Sequence, residues 1–221
     1  MKEFIKKIIG IKYEWESHLD NIIRLIISNL REYNATNFLD VGCGSGDRTI
    51  YLANLFNIDY KEVHGVDLYE HKVEACKKLF NTRIVDLEHQ SLPYEDNTFD
   101  LVNCNQVLEH IRNSESIINE IARVAKVGGY IILGIPDLAH LINRLYLLFG
   151  IQPLFIRIGS SHIRGFTHKS FLKMLKMIEA FELIDHKGSL MYPLPNVIAK
   201  FLSKYIVGLS GFTCYLLRKV K

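Results

Sequence analysis

Three glycines at alternate positions, Gly42, Gly44 and Gly46, stand inside F-L-D-V-G-C-G-S-G-D-R-T (38–49), with an apolar run before them and a helical pattern after. Glycines placed this way let the backbone turn tightly and approach a ligand, with a helix N-terminus aimed at it. The spacing is G-x-G-x-G, and Asp47 occupies the place of the third glycine in a dinucleotide fingerprint. A carboxylate beside the helix N-terminus repels a pyrophosphate and so argues against NAD. Two further aspartates close later apolar runs. Asp67 ends E-V-H-G-V-D (62–67), where an acidic residue accepts hydrogen bonds from ribose hydroxyls in nucleotide-binding α/β folds. Asp86, followed by Leu87, ends T-R-I-V-D (82–86) and offers a carboxylate for an exocyclic amine beside an apolar contact for its ring. Each aspartate alone also reads as a cap or turn residue. Together they would meet at the carboxyl ends of consecutive strands.

Strands alternating with helices must hold these groups. Strand-like runs fall at 37–41, 62–67, 82–86, 99–104 and 129–135, with helical patterns at 47–56, 70–80, 105–125 and 137–149 between or after them. That alternation predicts βαβ units and a doubly wound, mostly parallel α/β sheet. The tail changes character: a helix near 168–180, a strand at 181–187, a short helix near 196–206 and a last run at 212–218. The two late strands predict an antiparallel addition at the sheet edge. Ahead of the sheet, residues 1–33 read as one or two helices, from Phe4, Ile5, Ile8 and Ile9 and then from Leu19, Ile22, Ile23, Ile26, Ile27 and Leu30 at helical period. With no repeat or linker, residues 1–221 are expected to form one domain, with 137–168 as a lid-like insertion.

The 221 residues, 48% hydrophobic and 23% charged, suit a globular chain with a packed core. Lys+Arg 27 against Asp+Glu 24 leaves a net charge of +3, too close to neutral to indicate a nucleic-acid binder. Cys43, Cys76, Cys104 and Cys214 are too far apart for a C-x-x-C pair or a disulfide framework. The first residues interleave charge with apolar positions, unlike a secretory leader. The uncharged stretch Tyr205–Leu217 is shorter than the roughly 18 residues a membrane span requires. The expectation is a cytoplasmic protein.

Four ordered segments resemble class I S-adenosylmethionine-dependent methyltransferases, in the branch that includes the ubiquinone-biosynthesis enzymes and small-molecule and lipid O-methyltransferases. They are F-L-D-V-G-C-G-S-G, V-H-G-V-D-L, V-D-L-E-H-Q-S-L-P-Y-E-D-N-T-F-D-L-V-N-C-N-Q-V-L-E-H-I and E-I-A-R-V-A-K-V-G-G-Y-I-I-L-G-I-P, spread over 38–136. The resemblance implies a seven-stranded sheet ending in an antiparallel strand, with S-adenosyl-L-methionine as cofactor. It implies that Asp40, Gly42, Gly44 and Gly46 hold the methionine part, that Asp67 and Leu68 meet the ribose, and that Asp86 and Leu87 flank adenine. Asn103, Asn105 and Gln106 would face the methyl group and the acceptor. Val127 replaces the proline usual before Gly128-Gly129, which affects a turn only.

Methyl transfer needs chiefly positioning, because the sulfonium carries its own electrophile. A hydroxyl acceptor gains from a general base, and histidine titrates near operating pH. His110, after Glu109, and His162, in S-S-H-I-R-G-F-T, are the candidates, with a hydrogen-bonded structural histidine as the competing reading for each. Glu109 either orients His110 or is a solvated helix residue. The ubiquinone O-methyltransferases add a Glu three residues before the Glu-His pair to form a divalent metal site. Here that position is Gln106, and losing the carboxylate disfavours hard cations, so no metal is expected. His64, His71, His89 and His140 show no ligand spacing, and Cys43 reads as a small buried side chain.

The acceptor is expected to be a small molecule or lipid rather than nucleic acid, since N-C-N-Q replaces the Asn-Pro-Pro-aromatic tetrad of methyltransferases acting on amide or adenine nitrogens. Large apolar residues between 138 and 166, among them Leu145, Leu148, Phe149 and Phe155, form either an apolar acceptor lid or cover for the sheet. The lysines Lys2, Lys6, Lys7 and Lys12 beside N-terminal isoleucines fit contact with an anionic membrane surface; a core-covering helix is the alternative. Two other functions compete. A nicotinamide-dependent reductase needs Tyr-x-x-x-Lys on a helix, and Tyr215 with Lys219 falls in a strand-like run instead. A catalytically silent module or partner subunit would keep the cofactor loop without the reaction.

Overall fold

The computed structural model describes residues 23–24, 26–194, 196–203 and 205–221. Seven strands form one sheet: β1 (Phe38–Val41), β2 (Val63–Asp67), β3 (Asn81–Ile84), β4 (Phe99–Asn105), β5 (Ala125–Pro136), β6 (Phe181–Ser189) and β7 (Phe212–Lys219). Their order is β3-β2-β1-β4-β5-β7-β6. All neighbouring pairs from β3 to β5 are parallel, while β7 runs antiparallel to both β5 and β6. The expected mostly parallel sheet with an antiparallel last strand is therefore present. The chain winds outward from β1 to β3, then returns to β4 on the other side of β1. This reversal leaves a crevice beyond the carboxyl ends of β1 and β4, the place where open α/β sheets bind ligands.

Central parallel strands are covered on both faces, so β1 is buried along its whole length. Alternation divides its side chains between two cores. Leu39 and Val41 join Val66, Val102, Ile118, Phe171 and Tyr215 on one face. Phe38 packs on the other with Leu52, Leu101, Ile132 and Leu216. Ile23, Ile26, Ile27 and Leu30 are buried in that second core, as the second N-terminal stripe predicted. The stripe at 4–9, Leu19, Ile22 and the four N-terminal lysines lie outside the described residues.

The helices are α1 (Asp47–Leu55), α2 (Glu70–Cys76), α3 (Ser114–Val124), α4 (Leu141–Leu148), α5 (His168–Met177) and α6 (Asn196–Leu202). The long pattern at 105–125 yields helix only from Ser114. Gln106 has φ +60, a left-handed backbone that no helix accommodates, and Asn113 starts α3 by accepting from the Ser116 N–H. The antiparallel pair is no tight hairpin: α6 and a short 3-10 turn, Val207–Leu209, lie between β6 and β7. All four cysteines are buried and unbridged. Among the described residues no helix is long and apolar enough to cross a membrane.

One buried histidine and one half-buried one set an acid limit on this packing. His140 has no hydrogen-bond partner among the described residues on either ring nitrogen, and His168 lies against Tyr215, with Nδ1 2.8 Å from its hydroxyl. Burial pushes both pKa values down to about 4. The unfolded chain, with histidines near 6.5, therefore takes up protons first as pH falls. These two histidines contribute a loss of stability between pH 6.5 and 4 of about 1.4 kcal/mol per pH unit for each such proton, opposed in the same window by Glu109 and Asp137, whose buried carboxyls have pKa values raised to about 7 and about 6. Urea denaturation across that window checks this, and His140→Leu should flatten the slope. A variant with the parent slope would show that His140 is charged in the native state.

Candidate functional site

A cleft of about 520 Å³ opens at the carboxyl ends of β1 to β4. Gly42, Gly44, Asp67, Leu68, Asp86, Leu87 and His110 all line it. The loop after β1 owes its shape to its glycines, with φ +79 at Gly42, +57 at Gly44 and +84 at Gly46. The first of these also has no room for a side chain, because a Cβ there would overlap Cγ2 of Val107. Gly46 is the N-cap of α1 and faces away from the cleft, against Cys76 and Phe80.

Asp67 is 8% exposed and already oriented by the backbone. The Gly44 N–H donates to one carboxylate oxygen at 2.9 Å, and the Tyr69 N–H to the other at 3.0 Å. Each oxygen keeps a lone pair for a ligand hydroxyl. β3 stops at Ile84, so Asp86 follows in the loop, where the Glu88 N–H donates to it at 3.0 Å and Nδ1 of His89 lies 2.9 Å away. The His89 contact holds the Asp86 carboxyl below its ordinary range. Val85, Leu87 and Ile111 supply apolar surface beside these carboxylates.

Asp40, Asn103 and Asn105 do not line the cleft. Asp40 is buried behind the glycine loop and accepts from Thr49 Oγ1 at 2.5 Å and Asn103 Nδ2 at 2.6 Å, which ties α1 and β4 to the end of β1. Burial raises its pKa. Asn105 lies flat over Gly134, where any side chain on β5 would overlap it, and neither of its side-chain polar atoms has a partner. These residues position the loop from beneath.

Glu109 departs from its sequence reading. It is fully buried, not solvated, and its carboxylate oxygens have no hydrogen-bond partner among the described residues. Nor does it hydrogen-bond His110, whose Nδ1 lies 3.0 Å from the Ser161 carbonyl. The reason is the 3-10 turn Leu108–His110, which buries the Glu109 side chain while its backbone carbonyl accepts from the N–H groups of Ile163 at 2.9 Å and Arg164 at 3.0 Å. Burial lifts the Glu109 pKa to about 7. The same two bonds bring His162 over His110, with ring centroids 4.7 Å apart. Burial, then the charge of His110, lowers the His162 pKa. One ligand atom each from Glu109, His110 and His162 lies within 4.8 Å of the others.

Gln106, expected on the acceptor side, lines the cleft; Tyr69, Lys72, Val107 and Ser161 line it as well and carry no such expectation from sequence. The Lys72 ammonium sits 4.7 Å from the Tyr69 ring centroid. An aromatic two residues past a ribose-type aspartate was a readable signal; Ser161 arrives from a distant loop and left none. Tyr215 and Lys219 lie in strand β7 and not on a helix, which counts against the reductase pair.

Residues 39–133 match the methyltransferase domain family. Demethylmenaquinone methyltransferase of Bacillus mycoides is 39% identical over 101 residues, 42% of this chain and 42% of that protein. Ubiquinone biosynthesis O-methyltransferase of Coxiella burnetii is 27% identical over 216 residues, 88% of each. The chain spans less than half the length of the first curated relatives it matches. An S-adenosylmethionine-dependent methyltransferase from Mesorhizobium loti shares the fold with TM-score 0.61 at 16% identity, over 89% of this chain and 96% of that one. The likeness to class I methyltransferases carried by the four sequence segments is borne out.

Proposed function

We propose that this chain, whose residues 39–133 match the methyltransferase domain family, transfers the methyl group of S-adenosyl-L-methionine to a small-molecule or lipid acceptor, at a hydroxyl oxygen. The observation that carries the reading is the convergence of Gly42, Gly44, Asp67, Asp86 and Leu87 on one cleft at the switch point of the sheet. The cofactor supplies an electrophilic methyl on a sulfonium. Asp67 accepts from the ribose hydroxyls, Asp86 and Leu87 take the adenine edge and face, and the bare backbone at Gly42 and Gly44 admits the methionine part. Gln106 and His110, beyond β4, then stand at the acceptor end. Holding donor and acceptor in line accounts for most of the rate such a site can supply. Loss of the acceptor's proton is assisted at the cluster of Glu109, His110 and His162.

Support for a lipid-like acceptor comes from the segment after β5. Leu147, Leu148, Phe149, Ile151 and Ile158 are exposed, Ile158 at 97%, so these residues do not complete the core. Ser161 of the same segment reaches the cleft. An exposed apolar edge beside a polar cleft fits an acceptor with an isoprenoid or acyl tail drawn from a membrane surface. Two relatives named for quinone methylation agree with that chemistry. Incubation with methyl-labelled cofactor and a cell extract is expected to place label in the lipid fraction, and Leu148→Glu with Phe149→Glu should lower it severalfold. Label in the aqueous fraction alone would overturn the lipid assignment; label in neither would overturn the reaction.

A further inference from the structure

We propose that Glu109, His110 and His162 form a three-donor site for a transition-metal dication such as Zn(II), which clips the 161–164 segment to the turn after β4. The inference deepens the methyltransferase reading and rests on it for the acceptor's placement. The donor set is two imidazoles and one carboxylate, brought within 4.8 Å from two distant parts of the chain. Each donor has a feature that ordinary packing leaves unexplained. The Glu109 carboxylate is fully buried and has no partner among the described residues, an arrangement costly for an ionised carboxylate that no cation meets. His110 can donate Nδ1–H to the Ser161 carbonyl, the support that metal-bound histidines characteristically have, leaving Nε2 with a lone pair. His162 has a buried Nδ1 without a partner among the described residues.

The expectation that no metal binds rested on Gln106 in place of a carboxylate. That argument applies to hard cations, which demand oxygen donors. It does not apply to two imidazoles and one carboxylate, a set suited to zinc and its neighbours that leaves a fourth position open for water or substrate. His110 lines the cleft, so that position is on the acceptor side. Held by Glu109, His110 and His162, such a metal would supply Lewis-acid polarisation to an acceptor hydroxyl.

The test is calorimetry of the intact, chelator-stripped protein with Zn(II), Co(II) or Mg(II), and with S-adenosylhomocysteine in a separate arm. One equivalent of Zn(II) and of Co(II) should bind, Mg(II) at least 100-fold more weakly, and Glu109→Gln and His162→Gln should each weaken Zn(II) at least 10-fold. X-ray absorption of the wild-type zinc form should show two imidazoles, a readout that does not depend on how the variants fold. No Zn(II) binding, equal Mg(II) binding, or zinc bound without imidazole would overturn the site. If S-adenosylhomocysteine still binds in those cases, only the metal site fails; if it does not bind while zinc does, the methyltransferase reading fails instead.

Discussion

Asp67→Ala is expected to weaken S-adenosylhomocysteine binding at least 100-fold while leaving the protein folded. Its carboxylate is pre-set by the N–H groups of Gly44 and Tyr69, so it loses little freedom when a ligand arrives. Hydrogen bonds to a charged group contribute about 1.5–3 kcal/mol each, and two ribose hydroxyls would meet this one carboxylate. Their loss amounts to about 3–6 kcal/mol, a factor of 100 or more. Alanine also frees the Gly44 N–H, which loosens the loop that must take the methionine part. Asp67→Asn keeps an oxygen for one of these N–H groups and should fall between the two. Calorimetry gives the affinities and circular dichroism the integrity of the fold. An alanine variant that binds as tightly as the parent would remove Asp67 from the site.

Gly42→Ala is expected to cost more stability than any other glycine change in the loop. At φ +79 a side chain carries a backbone penalty of about 1–2 kcal/mol. The new Cβ would also overlap Val107, which stands on the β4 side of the switch point. Displacing either chain separates the glycine turn from the residues beyond β4, so cofactor affinity should fall with stability. Adding Val107→Ala removes the overlap but not the backbone penalty, and should restore part of both. Gly44→Ala makes the contrast: at φ +57 its Cβ would meet nothing within 4 Å, since it would point into open space beside the cleft. Urea denaturation should show a loss of about 1 kcal/mol there, with a larger effect on ligand binding than on folding. Equal stability losses at the two positions would contradict this account of the loop.

Much of this architecture was legible before any coordinates. Apolar runs ending in glycine or aspartate gave the central strands, because buried parallel strands must be apolar on both faces and polar only where they emerge. β1, β2 and β4 begin and end within a residue or so of the expected runs. Misreadings occurred where backbone geometry overrides pattern. The apolar period at 105–125 looked like one helix, yet Gln106 turns left-handed and the chain becomes helical only past Asn113. Glu109, polar and beside a histidine, looked solvated, because nothing local in the sequence announces that Ile163 and Arg164 will seal its backbone. The pairing of His110 with His162 was likewise beyond reach: each was a candidate, but their contact depends on a loop some fifty residues away. Strand-end position alone puts Asp40 and Asn103 in the cleft, whereas Asp40 turns toward Thr49 on α1 and Asn103 donates to Asp40 beneath the loop.

The most direct test of the cleft is titration of the intact wild-type protein with S-adenosylhomocysteine, with NAD as the comparison. A Gly42–Gly46 turn followed by Asp47, with Asp67 and Asp86 at the next two strand ends, predicts one-to-one binding of S-adenosylhomocysteine and none of NAD at the same concentration. Heat from NAD alone, or from neither ligand, would contradict it.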